Sequence, residues 1–193
     1  MLSGIFRWSI LASCAVLFAK GGVILTLNQV GPDVVLNGSG TANLAALTAE
    51  QSGGCQAALN FGQIIAGALG GCKLYGNLSG PTSFPTSGAA GAMTSSGAIV
   101  GFEDYFGTFL IIVPDVYVSG AALGGTATFS GTTLSAITTP GTYVWTWGSG
   151  ATADSLTLLI GAPEPSTILP VAGALLGIMV FRNRLRPATR ARC

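Results

Sequence analysis

"TPGTYVWTWGSGATADSLTLLI", Thr139 to Ile160, is the stretch that decides the fold class. Its first half alternates with a period of two. That places Tyr143, Trp145 and Trp147 on one face of an extended chain and Thr142, Val144 and Thr146 on the other. Pro140-Gly141 is a turn signal before the run, and Gly148 to Asp154, rich in small residues, separates it from a second apolar run, Ser155–Ile160. Two such runs around a Gly-rich join predict a pair of antiparallel strands.

The same pattern recurs outward along the chain. Val23–Gln29, Asp33–Asn37 and Thr41–Leu47 read as short strands, with Gly-Pro-Asp and Asn-Gly-Ser-Gly at the joins. Ile99–Phe102, Thr108–Val113, Val116–Ser119 and Gly125–Ser130 read likewise. Residues 52–72 suit a short helix by their alanines or a strand by their glycines. Ser79 to Ala98 has too few large apolar residues to build core and reads as a surface loop. Many short strands at close spacing, with no repeat of fixed period, predict an all-β, sandwich-like antiparallel domain and disfavour a solenoid.

Composition agrees with short strands and tight turns. The chain has 193 residues, of which 29 are Gly and only 8% are charged, against roughly a quarter in ordinary soluble domains. The net charge of +1 hides an asymmetry: between residues 21 and 163, Lys73 is the one base against six acids, a net of −5. A body this acidic offers no footprint for a phosphate backbone, so no nucleic-acid partner is expected.

The N-terminal segment carries Arg7 followed by a mostly apolar stretch, Trp8 to Ala19, the pattern of a signal peptide cleaved after Ala19. Two other readings stand beside it, a lipobox-like Leu11–Cys14 and an ordinary terminal strand or helix. The expected organisation is therefore 1–19 signal peptide, 20–161 exported β-rich domain and 162–193 a C-terminal signal. Of the four cysteines only Cys55 and Cys72 fall in the body, with 16 residues between them. In an exported protein they suit a disulfide; two buried thiols are the alternative.

The C-terminal segment is "APEPSTILPVAGALLGIMVFRNRLR", Ala162 to Arg186. A Pro-Glu-Pro triplet precedes the apolar run Ile168–Phe181, and Arg182, Arg184 and Arg186 follow. Ser166 or Thr167 suits a helix cap, and Pro170 falls in the first turn, where a missing N–H costs little. A helix over 166–181 would be about 24 Å long, near the ~30 Å hydrocarbon layer, with snorkelling arginines covering the difference. Those arginines belong on the cytoplasmic side, which puts the body outside.

Pro163, Glu164, Pro165, Ser166 and Thr167, then a Gly/Ala/Leu-rich span, then arginines, resemble the C-terminal sorting signal of bacterial PEP-CTERM proteins. The resemblance implies a membrane processing enzyme, exosortase, as partner. It also implies passage through the inner membrane of a Gram-negative bacterium to the cell surface or extracellular matrix, often one containing exopolysaccharide. The tail Pro187–Cys193 departs from the pattern in being longer than the few residues usual there. Three body stretches, 26–48, 113–131 and 139–167, are similar to a recurrent β-rich group of such exported proteins. That similarity implies an address and an architecture and brings no catalytic activity with it.

Histidine is absent, which removes the commonest general base and metal ligand, and no closely spaced Cys ligands exist. No metal and no cofactor is expected. Glu103-Asp104 is the one adjacent acidic pair, flanked by Phe102, Tyr105 and Phe106. It reads as a solvated turn with its aromatics packed inward. The sharper alternatives are a Ca²⁺ site, or a glycosidase pair completed by Asp115 or Asp154. Tyr143, Trp145 and Trp147 read as a core face, with a sugar-stacking platform as alternative. Asn37 and Asn77 match glycosylation acceptors, a match without weight in a bacterial chain. The expectation is a non-enzymatic surface or matrix protein; a carbohydrate-binding or carbohydrate-cleaving domain of the same matrix is the alternative.

Overall fold

The computed structural model describes residues 21–161 apart from 84, 85 and 87. The expected signal peptide 1–19 and the sorting segment 162–193, with its helix over 166–181, lie outside the described residues. The body is all-β. Its strands, in chain order, are β1 (Val23–Val30), β2 (Asp33–Thr41), β3 (Thr48–Cys55), β4 (Ala58–Asn60), β5 (Gln63–Ala66), β6 (Gly70–Gly76) and β7 (Ala90–Gly91). They continue as β8 (Thr94–Gly97), β9 (Val100–Tyr105), β10 (Thr108–Pro114), β11 (Ala122–Phe129), β12 (Gly141–Trp147) and β13 (Asp154–Ile160). Six form one sheet in the order β12-β13-β1-β2-β11-β8, and seven form the other, β3-β6-β10-β9-β5-β4-β7.

Alternating apolar residues from both sheets meet in one core. Val23, Leu25, Leu27, Val34, Leu36, Phe129, Trp145, Leu156 and Leu158 come from the first sheet, and Ile64, Val100, Phe102, Phe109 and Ile111 from the second. Gly38 marks a close approach of the two, because a Cβ there would run into Val100. The sheets are also joined at their margins. Gly67 donates to Thr126 O at 3.3 Å, and Ser79 exchanges two hydrogen bonds of 2.8 Å with Thr146.

The second sheet is apolar on its outer face as well. Ile65, Cys72, Leu74, Leu110 and Ile112 form a smaller buried cluster there. The disulfide between Cys55 and Cys72, with Cα atoms 5.8 Å apart, crosses this face from β3 to β6. Edge strand β3 is exposed along almost its whole length and shifts register between Ala49 and Gln51, so it has little apolar hold of its own.

One pairing among the described strands is parallel: β1 with β13, Val23 opposite Leu156 and Leu27 opposite Ile160. Because the first and last strands run the same way, the chain enters the fold at one end and leaves at the other. Gly161, where it leaves, donates to Leu27 O at 2.8 Å.

Several expected elements are corrected. Thr41–Leu47 is not a strand: β2 ends at Thr41, and Leu44–Ala46 form a 3-10 turn that Asn43 caps by accepting from Ala45 N. Val116–Ser119 is not a strand either. Tyr117 N donates to Pro114 O and Ala121 N to Val118 O, so two successive turns carry the chain to β11. The Tyr117 hydroxyl holds them by donating to Ala121 O at 2.6 Å. Within the stretch read as a loop, Ala90–Gly91 and Thr94–Gly97 each add a short strand to a sheet edge, where pairing needs backbone groups and no large side chain. The ambiguous residues 52–72 form strands, parts of β3 to β6, with short turns between them and no helix.

Candidate functional site

The aromatic stripe of β12 is core. Trp145 is 0% exposed and its ring lies 4.2 Å from that of Phe102 and 5.6 Å from that of Phe109. Its indole N–H donates to Pro81 O at 3.2 Å. Trp147 is buried and donates to Asn43 O at 2.7 Å, while half-buried Tyr143 donates to Thr139 O at 3.2 Å. Each polar tip thus has a backbone acceptor, the usual condition for burying such a residue. A sugar cannot stack on rings already packed on this core.

The acids do not converge. Asp33 accepts from Gly131 N at 3.0 Å, Asp104 from Gly107 N at 2.7 Å, and Asp154 from Asn43 N at 2.7 Å. These carboxylates close loops. Glu103 stands opposite Leu110, and Asp115 lies five residues further along from Leu110, so the two Cα atoms are roughly 17 Å apart at ordinary strand rise. That exceeds the separation of either glycosidase geometry. Asp154 starts β13 in the other sheet. Among the described residues no three of His, Cys, Asp and Glu gather as a metal site.

Glu103 and Asp104 sit in β9 rather than in a turn; the turn is Phe106-Gly107. Of the neighbouring aromatics only Phe102 packs inward. Tyr105 is 51% and Phe106 92% exposed. Phe106 (φ 53°) and Gly107 (φ 83°) are both left-handed, the backbone of a tight two-residue hairpin loop.

A groove of about 540 Å³ lies on the outer face of the second sheet. Register builds it. Asn60 faces Gln63, Gln63 faces Glu103, and Glu103 faces Leu110, so two amides and a carboxylate stand in one cross-strand row. Asn60 Nδ2 donates to Gln63 Oε1 at 2.9 Å and orders the two amides. Tyr105, two residues beyond Glu103, shares its face. Ile65, Leu74 and Cys72 supply an apolar floor, and Gln51 closes the β3 side. A second groove of about 540 Å³ continues beyond β4, which divides the two through Ala58 and Asn60. Amides, a carboxylate and an aromatic ring over an apolar floor match ligands that alternate hydroxyls with C–H faces.

Sequence reading missed Gln51, Asn60 and Gln63. The signal was Asn60-Phe61-Gly62, a turn triplet whose recognition would have made 58–66 a hairpin with Asn60 and Gln63 paired. Comparison of the chain with protein-family models, with curated proteins and with solved structures finds no match in any of the three.

Proposed function

We propose that this chain is an exported, non-enzymatic cell-surface or extracellular-matrix protein of a Gram-negative bacterium. It is delivered through the inner membrane by a C-terminal sorting signal that an exosortase-type enzyme processes. The observation that supports this is where the segments abut. β13 ends at Ile160, and Pro163-Glu164-Pro165 follows three residues later, then the apolar run and Arg182, Arg184 and Arg186. The triplet is thus not needed for the last strand. Its prolines fix φ and remove two backbone donors around one acid, a stiff and recognisable shape.

The roles divide along the segment. The triplet directs processing, and Ile168–Phe181 holds the substrate in lipid, where contact is nonspecific. Glu164→Gln, or both prolines to Ala, should leave unprocessed protein in the inner membrane, whereas scrambling Ile168–Phe181 at constant composition should be tolerated. Normal processing of both triplet variants, with loss in the scramble, reverses the assignment.

A second reading, that the body binds exopolysaccharide, is favoured by the Asn60–Gln63–Glu103 row beside Tyr105. It moves the sugar contact from β12 to the outer face of the second sheet. Titration with soluble exopolysaccharide should show affinity that Gln63→Ala and Glu103→Gln each weaken about tenfold, a loss of one good hydrogen bond. Equal affinity in both variants contradicts it.

A further inference from the structure

Two neighbouring hairpins of the second sheet end in exposed aromatics. Phe61, 69% exposed, tips the β4–β5 hairpin, and Phe106, 92% exposed, tips the β9–β10 hairpin. Asp104 N donates to Gly62 O at 2.7 Å and holds the tips side by side. The Tyr105 ring meets that of Phe106 edge-on at 4.9 Å, and Phe61 stands on the adjoining tip.

Phe106 is placed at a cost. Its φ of 53° is a position that Asn or Gly fills far more readily, and its side chain buries almost nothing in return. Neither local geometry nor the core explains a phenylalanine there.

The tips lie at the end of the body where the chain leaves. Gly161 approaches Leu134 and Pro140, and Thr138, held to Leu134, bridges to Thr86. Thr86 in turn donates to Asn60 O at 2.7 Å, next to Phe61. Val30 and Met93 are exposed at this same end, beside the β1–β2 turn and the end of β11. From Gly161 to Ile168 the chain spans seven residue steps, at most about 25 Å. Whatever surface receives Ile168–Phe181 must therefore lie within that reach of this end of the body.

We infer that Phe61, Tyr105 and Phe106 dock the body on the membrane surface while the C-terminal segment is still embedded, presenting the Pro-Glu-Pro triplet at a fixed height. The inference rests on the proposed membrane stage of sorting. A lipid interface is the occupant that fits. Phe61 and Phe106 offer no hydrogen bond to a sugar, and aromatic side chains favour the interfacial layer. Lys73, the sole base between residues 21 and 163, pairs across from Val113, remote from the tips. Docking is accordingly apolar and draws nothing from anionic lipid, which Glu103 and Asp104 beside the tips would repel.

The test uses the full chain in phosphatidylcholine vesicles carrying a diazirine-labelled lipid, with adducts mapped by mass spectrometry. Adducts are expected at Phe61, Tyr105 and Phe106 as well as in 168–181. None are expected at Val116 and Val118, which are also exposed but lie beside Ala42 at the opposite end. The double variant Phe61→Ser/Phe106→Ser should lose tip adducts and keep those in 168–181. Adducts in 168–181 without any at the tips overturn the docking and leave the sorting proposal intact. Tip adducts without any in 168–181 keep the docking and sink the membrane span. Equal labelling of both ends, or protection of the tips by added exopolysaccharide in place of lipid adducts, also overturns it.

Discussion

Trp147 and Asp154, a cross-strand pair of β12 and β13, clamp opposite sides of the same residue. The indole of Trp147 donates to Asn43 O at 2.7 Å, and Asn43 N donates to the Asp154 carboxylate at 2.7 Å. The loop after β2 is thereby tied to a hairpin 111 residues away in sequence. Asp154 also accepts from Ser155 N at 2.8 Å and is 8% exposed, so its charge is solvated by backbone dipoles. Asp154→Ala leaves a half-buried N–H without its charged acceptor and should cost about 1–2 kcal/mol in urea denaturation. Trp147→Phe keeps most of the packing and should cost about 1 kcal/mol. Unchanged midpoints in both variants would refute the clamp.

The Cys55–Cys72 bond fastens an edge strand that has few buried side chains. A double change to Ser should lower stability by about 3 kcal/mol on chain-entropy grounds. Amide exchange should quicken first in β3, Thr48 to Cys55, and only weakly in β10. Free alkylation of both thiols in the native exported protein would remove the premise.

Phe106→Asn relieves a left-handed phenylalanine and removes an exposed ring. It should raise stability by about 1 kcal/mol, or about 3 °C in melting temperature, while reducing lipid adducts at the tips. A lower melting temperature would mean that Phe106 contributes to the fold and that the strain argument fails.

How much of this was legible in the chain depended on side-chain patterning. The β12–β13 hairpin was legible because Tyr143, Trp145 and Trp147 alternate with Thr and Val. Strands poor in large apolar residues were not: "TSSG" pairs through backbone alone, "TAEQSGGC" adds only its disulfide, and neither carries a period to detect. Tyr117 misled in the other direction. Flanked by valines it looks like a strand, yet its hydroxyl spends itself on Ala42 and Ala121 to hold turns. The groove was hidden because cross-strand rows such as Asn60–Gln63–Glu103 exist only once register is known. The parallel β1–β13 contact, which sets where the chain leaves the body, has no local signature at all.

The most direct test of the central claim is intact-mass spectrometry of the mature protein recovered from the cell surface or medium. A C-terminus at or near Pro163 to Thr167, with residues 168–193 gone, is the result expected of a processed sorting signal. A surface protein that still carries Cys193 would contradict it.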